Sequence, residues 1–321
     1  MTPPGAPPFV IHANLDCEAR WAGGALPGRV ASRVSHYAAL LAALAPGDRD
    51  VEIWAPAAID PARLIAHARW TPPRMRVGAP PRADLAWARD DAKAANDRRL
   101  ALEVARTLGV ALPGARVVDT LDELDAAIRA LAGSPRWVAK APWTTAGRDR
   151  CHGEGAPTEE QRTRIARLLE RFGALIIEPW LERVSDVGVC ATVDARGDVV
   201  AEPAHGLVTD ARGTFLGIEL APPALADEEH AQLARAVRAV GAALARLRYA
   251  GPFAIDAFVY TADGERRLHP LCEINARYTF GWIARALHQR LGATRLGFSA
   301  PPPGATVLIA PAGDGVTAWV A

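Results

Sequence analysis

Lysine is nearly missing from this chain: of its 37 basic residues only Lys93 and Lys140 are lysines, and all the rest are arginine. A lysine in such a background invites a chemical explanation, although Lys93, in a polar helical stretch, reads as solvated surface. Cysteine is scarce as well. Cys17, Cys151, Cys190 and Cys272 show no CxxC or Cys/His ligand spacing, which excludes a disulfide framework and a zinc site and predicts free thiols. An excess of charge is missing too: 37 basic against 36 acidic residues leave a formal +1, so no global field draws nucleic acid or an anionic membrane, and any phosphate recognition must be local. The longest stretch without a charged side chain, Leu296 to Gly313, has 18 residues but four prolines, which a spanning helix cannot absorb. The first residues, MTPPGAPPFVIHAN, lack the basic region of a secretory signal and are broken by prolines, so a cytoplasmic location is expected. What is plentiful is ordinary. With 321 residues, 50% hydrophobic and 23% charged, the chain reads as globular, with about two or three domains, and not as disordered.

The pattern opens with alternating β and α signals: an apolar run from Phe9 to His12, a helical period from about Arg29 to Leu44, the strand VEIWAP at Val51 and a short helix near Leu64. Pro72, Pro73, Pro80 and Pro81 then mark a linker. An amphipathic helix is predicted from roughly Asp90 to Leu108, stopped by Gly109. A strand near Val117, a helix from Leu121 to Leu131, the strand RWVAK, a polar loop at 142–157, a helix from Glu159 to Phe172 and the strand ALIIEP follow. From Asp186 the pattern turns mainly to strands, joined by turns at Ala195 to Gly197 and Asp210 to Gly213, which predicts an antiparallel sheet. A helix over 227–247 separates these from a last pair, GPFAIDAFVY and RLHPLCEIN, and the Ala-Pro-Gly-rich tail retains two short strands, ATVLIA and VTAWVA. No internal repeat is present. The boundaries fall at 1–88, an N-terminal α/β unit; 89–181, a central unit; and 182–321, a C-terminal unit built on the antiparallel sheet.

The chemistry gathers on the last pair of strands. In LHPLCEINARY a period of two puts Glu273, Asn275 and Arg277 on one face and Cys272, Ile274 and Ala276 on an apolar one. Such alternation often means only a half-exposed strand, but asparagine is depleted in strands, and a carboxylate, an amide and a guanidinium two residues apart make a cation site beside an anion site. In GPFAIDAFVY the face Phe253, Ile255, Ala257, Val259 is apolar and the opposite face carries the acid Asp256, which a hairpin would bring near Glu273. Two converging carboxylates repel unless a cation lies between them, and oxygen ligands suit Mg²⁺, which also binds substrate phosphates. The site thereby implies a nucleotide.

These residues, in this order, resemble the ATP-grasp superfamily. The run Glu273-Ile-Asn275-Ala-Arg277 after Asp256 is similar to that family's metal-binding strand pair, WVAKAPWTTAGR to its strand-lysine-loop lid, IIEPWL to its adenine hinge, and the helix start NDRR to the element whose basic residue meets the α-phosphate. The resemblance covers about residues 90 to 280, with arginine at position 98 where the family usually has lysine and a single glycine in the lid loop. It implies an α/β (α+β) ATP-grasp fold with a pre-ATP-grasp N-terminal domain, a small lid and a C-terminal antiparallel sheet. It implies ATP with Mg²⁺ (or Mn²⁺) as cofactors, with Asp256, Glu273 and Asn275 as metal ligands. Arg98, Lys140, Thr144, Thr145, Gly147, Glu178, Trp180, Leu181 and Asp186 would contact the nucleotide, Asp186 as the ribose acid. Lys140 and Arg277 would be catalytic.

The implied reaction is a ligase's, in which a carboxylate is activated as an acylphosphate and an amine displaces phosphate; a kinase, or a nucleotide-binding module without turnover, are the alternatives. Arg277 would hold either the acceptor carboxylate or the transferred phosphoryl group. The expected partners are small-molecule carboxylate and amine substrates, without nucleic acid or membrane, and a homodimer is allowed. Outside the motifs, the cluster His12, Asn14, Asp16, Glu18 and Arg20 follows the first strand, at the end where open α/β sheets bind ligands, and is equally readable as a capped turn. His205 reads as a substrate contact or a satisfied core histidine. Trp143 and Trp180 read as packing residues, GGALPG at 23–28 as a loop, and Ser32, Ser35 and His36 form no nucleophile setting.

Overall fold

The computed structural model describes residues 7–47, 49–131, 134–144, 149–210, 213–221 and 224–321. The N-terminal unit is a four-stranded parallel sheet, β1 (Phe9–His12), β2 (Val51–Ala55), β3 (Arg74–Val77) and β4 (Leu85–Ala86), in the order β3-β2-β1-β4. Between β1 and β2 lie the short helix α1 (Cys17–Trp21), α2 (Gly28–Ala38) and a 3-10 turn, Ala39–Leu44. The stretch expected as a proline linker therefore holds β3, an edge strand between Pro73 and Pro80, where a proline's missing N–H costs no ladder bond. The helix expected near Leu64 is only the 3-10 turn Pro61–Arg63.

The next helix is shorter than its period suggests. α3 runs Arg98–Thr107, not from Asp90, because the Asp97 side chain caps it by accepting from the Arg99 amide at 2.9 Å; Ala94–Asn96 before it is a single 3-10 turn. Gly109, at φ 69°, ends it as expected. The central unit contains β5 (Arg116–Val118), α4 (Leu121–Arg129), β6 (Arg136–Lys140), β7 (Arg150–Glu154), α5 (Glu159–Phe172) and β8 (Leu175–Pro179), its strands forming an antiparallel sheet ordered β5-β8-β6-β7. Part of the expected polar loop is thus the strand β7, which packs against β6 so closely that a Cβ on Gly153 would lie 2.0 Å from the Trp137 ring. α4 and α5 cover the sheet through Leu124, Ala127, Ile165, Leu168 and Phe172.

The largest sheet contains β9 (Arg183–Val193), β10 (Val199–Ala201), β11 (His205–Thr209), β12 (Phe215–Glu219), β13 (Gly251–Ala262), β14 (Glu265–Asn275), β15 (Arg295–Gly297), β16 (Thr306–Ile309) and β17 (Ala318–Val320). Its order is β14-β13-β9-β11-β12-β15-β17-β16, with β10 on β9, all pairs antiparallel. One face is buried under α6 (Asp227–Arg246) and α3, where Val237, Val240 and Leu244 meet Val187, Val189, Phe253, Ile255 and Ile274. The period of two then leaves the alternating residues, including Gly188, Asp256 and Glu273, on the other face. A helix the sequence pattern did not predict, α7 (Phe280–Leu291), packs between that face and the N-terminal unit, so residues 11–88 share one core with α7 and the C-terminal strands. Among the described residues no helix is long and apolar enough to cross a membrane.

Candidate active site

The β13–β14 hairpin closes through Asp263 and Gly264, both at positive φ (54° and 76°), the two-residue turn for which Asp-Gly is suited. Counting back from that turn, Asp256 would face Leu271. It faces Glu273 instead. Between the pairs Phe258↔His269 and Asp256↔Glu273, β13 has one residue and β14 has three, so a bulge at Pro270, Leu271 and Cys272 moves Glu273 into place. The carboxylates are thus cross-strand neighbours as the hairpin reading expected, through a device the sequence pattern did not reveal. Their mutual repulsion has a chemical consequence: burial, reinforced by Glu273, pushes the Asp256 carboxyl up to about 7. Asn275 Nδ2 donates to Asp256 Oδ2 at 3.3 Å, which puts the amide beside the acid pair. Among the described residues no cluster of three or more His, Cys, Asp and Glu side chains can hold a metal. Two carboxylates and an amide oxygen nevertheless fit Mg²⁺, which takes few protein ligands and completes its shell with water and phosphate.

The bulge also corrects the expected face of Cys272. It leaves the apolar side, where Leu271, Ile274 and Ala276 remain, and lies with its Sγ 3.9 Å from Lys140 Nζ. Lys140, at the end of β6, donates to the Glu178 carboxylate on β8. Burial works against the Lys140 charge, but the Cys272 sulfur and Glu178 outweigh it and hold the ammonium above its ordinary pKa; Glu178, despite burial, is held below its own by Lys140. Arg98, the first residue of α3, reaches over the edge strand and donates to Glu273 Oε1 at 2.8 Å, to Thr144 Oγ1 at 2.9 Å and to the Ala141 carbonyl at 3.0 Å. Thr144 is buried. Thr145 and Gly147 lie outside the described residues.

At the expected hinge, the Trp180 amide donates to the Arg136 carbonyl at 2.9 Å and so belongs to the sheet, while its ring meets His152 and the guanidinium groups of Arg150 and Arg183. Leu181 packs beside Phe258 and Tyr260. Asp186 accepts from Arg183 at 2.7 Å and from Thr209 Oγ1 at 2.9 Å, a pairing in which Arg183 went unnoticed in the sequence because nothing in its local pattern distinguishes it from the other arginines.

Arg277 does not continue the strand. β14 ends at Asn275, the Arg277 amide turns back onto the Asn275 carbonyl at 2.9 Å, and the guanidinium lies over the Trp87 ring, 5.5 Å from its centroid. Its Nη2 donates to Glu18 Oε1 at 2.9 Å, 259 residues away in sequence. Of the polar cluster after β1, Glu18 therefore belongs to the site, and Asn14 fixes it there, exchanging two hydrogen bonds with Ala88 (2.8 and 3.0 Å). Asp16 pairs with Arg20, and His12 is half-buried with its pKa lowered by burial. A second buried amide, Asn96, holds both the N–H and the carbonyl of Ala276, the residue before Arg277. No sequence pattern marks this role.

His205, Gly188, Asp256 and Glu273 are direct partners across four adjacent strands, one transverse row. The imidazole lies over Gly188, where a Cβ would come 2.5 Å from Nε2, and beneath Gly281 at the start of α7, where it would come 2.7 Å. His205 is 2% exposed, its Nδ1 has no partner among the described residues, and burial, with Arg285, pushes its pKa down to about 3, so the ring is neutral. It is a core histidine in the same row as the acids.

No family model matches the chain, and no curated protein matches it. Solved structures do. An N5-carboxyaminoimidazole synthetase from Staphylococcus aureus superposes with a TM-score of 0.59 at 11% identity, over 97% of this chain and 92% of that one. The same enzyme complexed with ADP gives 0.52 at 13% identity, over 88% and 72%. An N5-carboxyaminoimidazole ribonucleotide synthetase from Thermus thermophilus gives 0.55 at 15% identity, over 97% and 92%. With a pyruvate carboxylase from Rhizobium etli the TM-score is 0.48 at 18% identity over 65% of this chain, which spans only 18% of that enzyme's length. Identities this low speak for architecture, and the two synthetase likenesses extend over nearly the whole chain: it has the fold of the ATP-grasp superfamily.

Proposed function

We propose that the chain is an ATP-dependent ligase that activates a carboxylate as an acylphosphate for attack by an amine or similar nucleophile. The observation that carries this reading is the facing pair Asp256 and Glu273, with Asn275 hydrogen-bonded to the first, Arg98 to the second, Arg277 within charge reach of both, and Lys140 beside Cys272, the neighbour of Glu273. Phosphoryl transfer demands neutralised charge and in-line positioning more than a nucleophilic side chain, and this site offers cations and no activated serine or cysteine. The bound ADP of a structural neighbour supports a nucleotide here.

Asp256, Glu273 and Asn275 would hold Mg²⁺, which when bound neutralises phosphate oxygens. Arg98, now paired with Glu273, would turn to the phosphates once a cation relieves it; Lys140 would do the same from the lid side. Glu178, Trp180 and Leu181 would line the adenine, and Asp186 the ribose. Arg277 would hold the acceptor carboxylate. A carboxylate oxygen then attacks the γ-phosphorus, the bond to the β,γ-bridging oxygen breaks, and ADP leaves; the amine attacks the acyl carbon, phosphate leaves, and the amine nitrogen loses its proton.

The test is ADP release from ATP and Mg²⁺ across a panel of small carboxylates, with hydroxylamine added in place of the amine. Trapping of a hydroxamate that Arg277→Ala suppresses, while nucleotide binding persists, is expected. A stable phosphorylated product without hydroxamate would replace the ligase by a kinase.

A further inference from the structure

Arg277 and Glu18 are an incomplete pair. A guanidinium and a carboxylate normally meet through two parallel hydrogen bonds, yet here only Nη2 reaches only Oε1, at 2.9 Å. Among the described residues the buried Arg277 Nε has no partner and Nη1 has only the Tyr278 carbonyl at 3.4 Å. Glu18 Oε2 has no partner among the described residues. Both side chains are largely withdrawn from water, 15% and 10% exposed, and the buried Nε is a stored demand for a hydrogen bond, with Oε2 of Glu18 beside it still open to a donor. Nor is the pair an accident of flexible side chains. The turn that leads into α1, the helix carrying Glu18, is fastened by the two Asn14–Ala88 bonds, and Trp87, next to that anchor, is the surface on which Arg277 lies.

A substrate carboxylate arriving on the unfilled Nε edge of Arg277 comes to lie beside Glu18. If the substrate carried only that negative charge, it would add a further anion to a guanidinium that already serves Glu18 and lies within reach of Glu273, while Arg98, the other cation near Glu18, is engaged by Glu273. Burying an unpaired charge is strongly unfavourable. A substrate with an ammonium one carbon from its carboxylate resolves the conflict, since its anion completes Arg277 and its cation takes over Glu18. We infer that Glu18 is a specificity-determining residue that binds an ammonium group, and that the carboxylate activated on Arg277 belongs to an α-amino acid. This rests on the ligase reading, which by itself leaves the acid unspecified.

Equilibrium binding separates the two ideas, because it does not depend on turnover. Each of the common L-α-amino acids is titrated by calorimetry against the protein with Mg²⁺ and a non-hydrolysable ATP analogue, beside the same acid lacking its amino group, and ADP release is measured with the same set. At least one amino acid should bind, with its des-amino analogue weaker by at least tenfold and on the order of 10²-fold where the site's buried groups are left unpaired. Glu18→Gln should bring the two analogues within about threefold of each other, and Glu18→Asp, which keeps the charge that pairs Arg277, should keep most of the discrimination; calorimetry should show both variants folded, with Glu18→Gln melting lower because it leaves the Arg277 guanidinium without its ion pair. If des-amino acids bind or turn over as well as amino acids, Glu18 does not read an ammonium and the inference fails while the ligase reading stands. If neither set binds, the inference fails, and the ligase reading is then decided separately by the wider carboxylate panel and its hydroxamate trap.

Discussion

Replacing Gly281 by alanine is expected to destabilise the protein, although alanine is the better helix former. The change adds one carbon at the first turn of α7, and that carbon would sit 2.7 Å from His205 Nε2 and 2.8 Å from Cys190 Sγ. Neither neighbour has room to yield. Both are buried, and the imidazole is already pressed on its other side against Gly188, where a Cβ would approach within 2.5 Å. Forcing an extra methyl into such a place costs about 1–3 kcal/mol, and the helix propensity gained returns at most about 1 kcal/mol. The net loss of up to about 2 kcal/mol lowers Tm by up to roughly 8 °C for a domain of more than 150 residues. Because Arg277 lies three residues before α7, tilting the helix moves its guanidinium as well, so activity should fall along with Tm. Differential scanning calorimetry of G281A, H205A and the double variant isolates the cause, since removing the imidazole makes room for the methyl. A coupling of on the order of 1–3 kcal/mol is expected between the two sites. The reasoning is wrong if G281A melts higher than the parent, or if the two substitutions simply add.

Lys140→Ala should reduce turnover by about 10² to 10³ through loss of a charged phosphate contact, and it should also lower Tm because it strands the buried Glu178 carboxylate; Lys140→Met with Glu178→Gln should restore Tm and leave the rate low, and a double variant with normal turnover would remove Lys140 from the site. Calorimetry with and without EDTA should show Mg-dependent nucleotide binding, and equal affinity in both conditions would overturn the assignment of Asp256, Glu273 and Asn275. With the Asp256 carboxyl at about 7, cation binding must expel its proton, so Mg²⁺ affinity should weaken as pH falls below about 7 and binding at pH 6 should release most of one proton; a binding heat independent of buffer ionisation would contradict this. His205 and His269, pushed by burial down to about 3 and about 4, bind their protons only when unfolded, so each costs stability as pH falls below about 6.5, with a slope of about 1.4 kcal/mol per unit. Asp256, shifted upward, works in the opposite direction over the same range, and two histidines against one carboxylate leave a net loss; a Tm that stays level from pH 6.5 to 4.5 would refute it.

What the sequence by itself determined is local and periodic. Alternation along GPFAIDAFVY and LHPLCEIN separates an apolar face from an acidic one because strand side chains alternate by geometry, and Asp263-Gly264 closes the hairpin because both positions need positive φ. The same local reasoning reaches Lys140 on its strand and the helix from Glu159 to Phe172, whose capping box lies within four consecutive residues. It fails where a decision depends on distant atoms. The helix start near Asp90 fails for a local reason instead, the Asp97 side chain that caps the helix at Arg98. Strict alternation puts Cys272 among apolar neighbours, while the bulge that seats Glu273 opposite Asp256 turns it toward Lys140. Arg98 on Glu273, Lys140 on Glu178, Glu18 on Arg277 and Asn96 on Ala276 join residues 38 to 259 positions apart. Only the tertiary structure selects these partners, because in a chain with so many arginines charge alone does not say which one is buried beside which acid; packing that excludes water from one pair and not from another decides it.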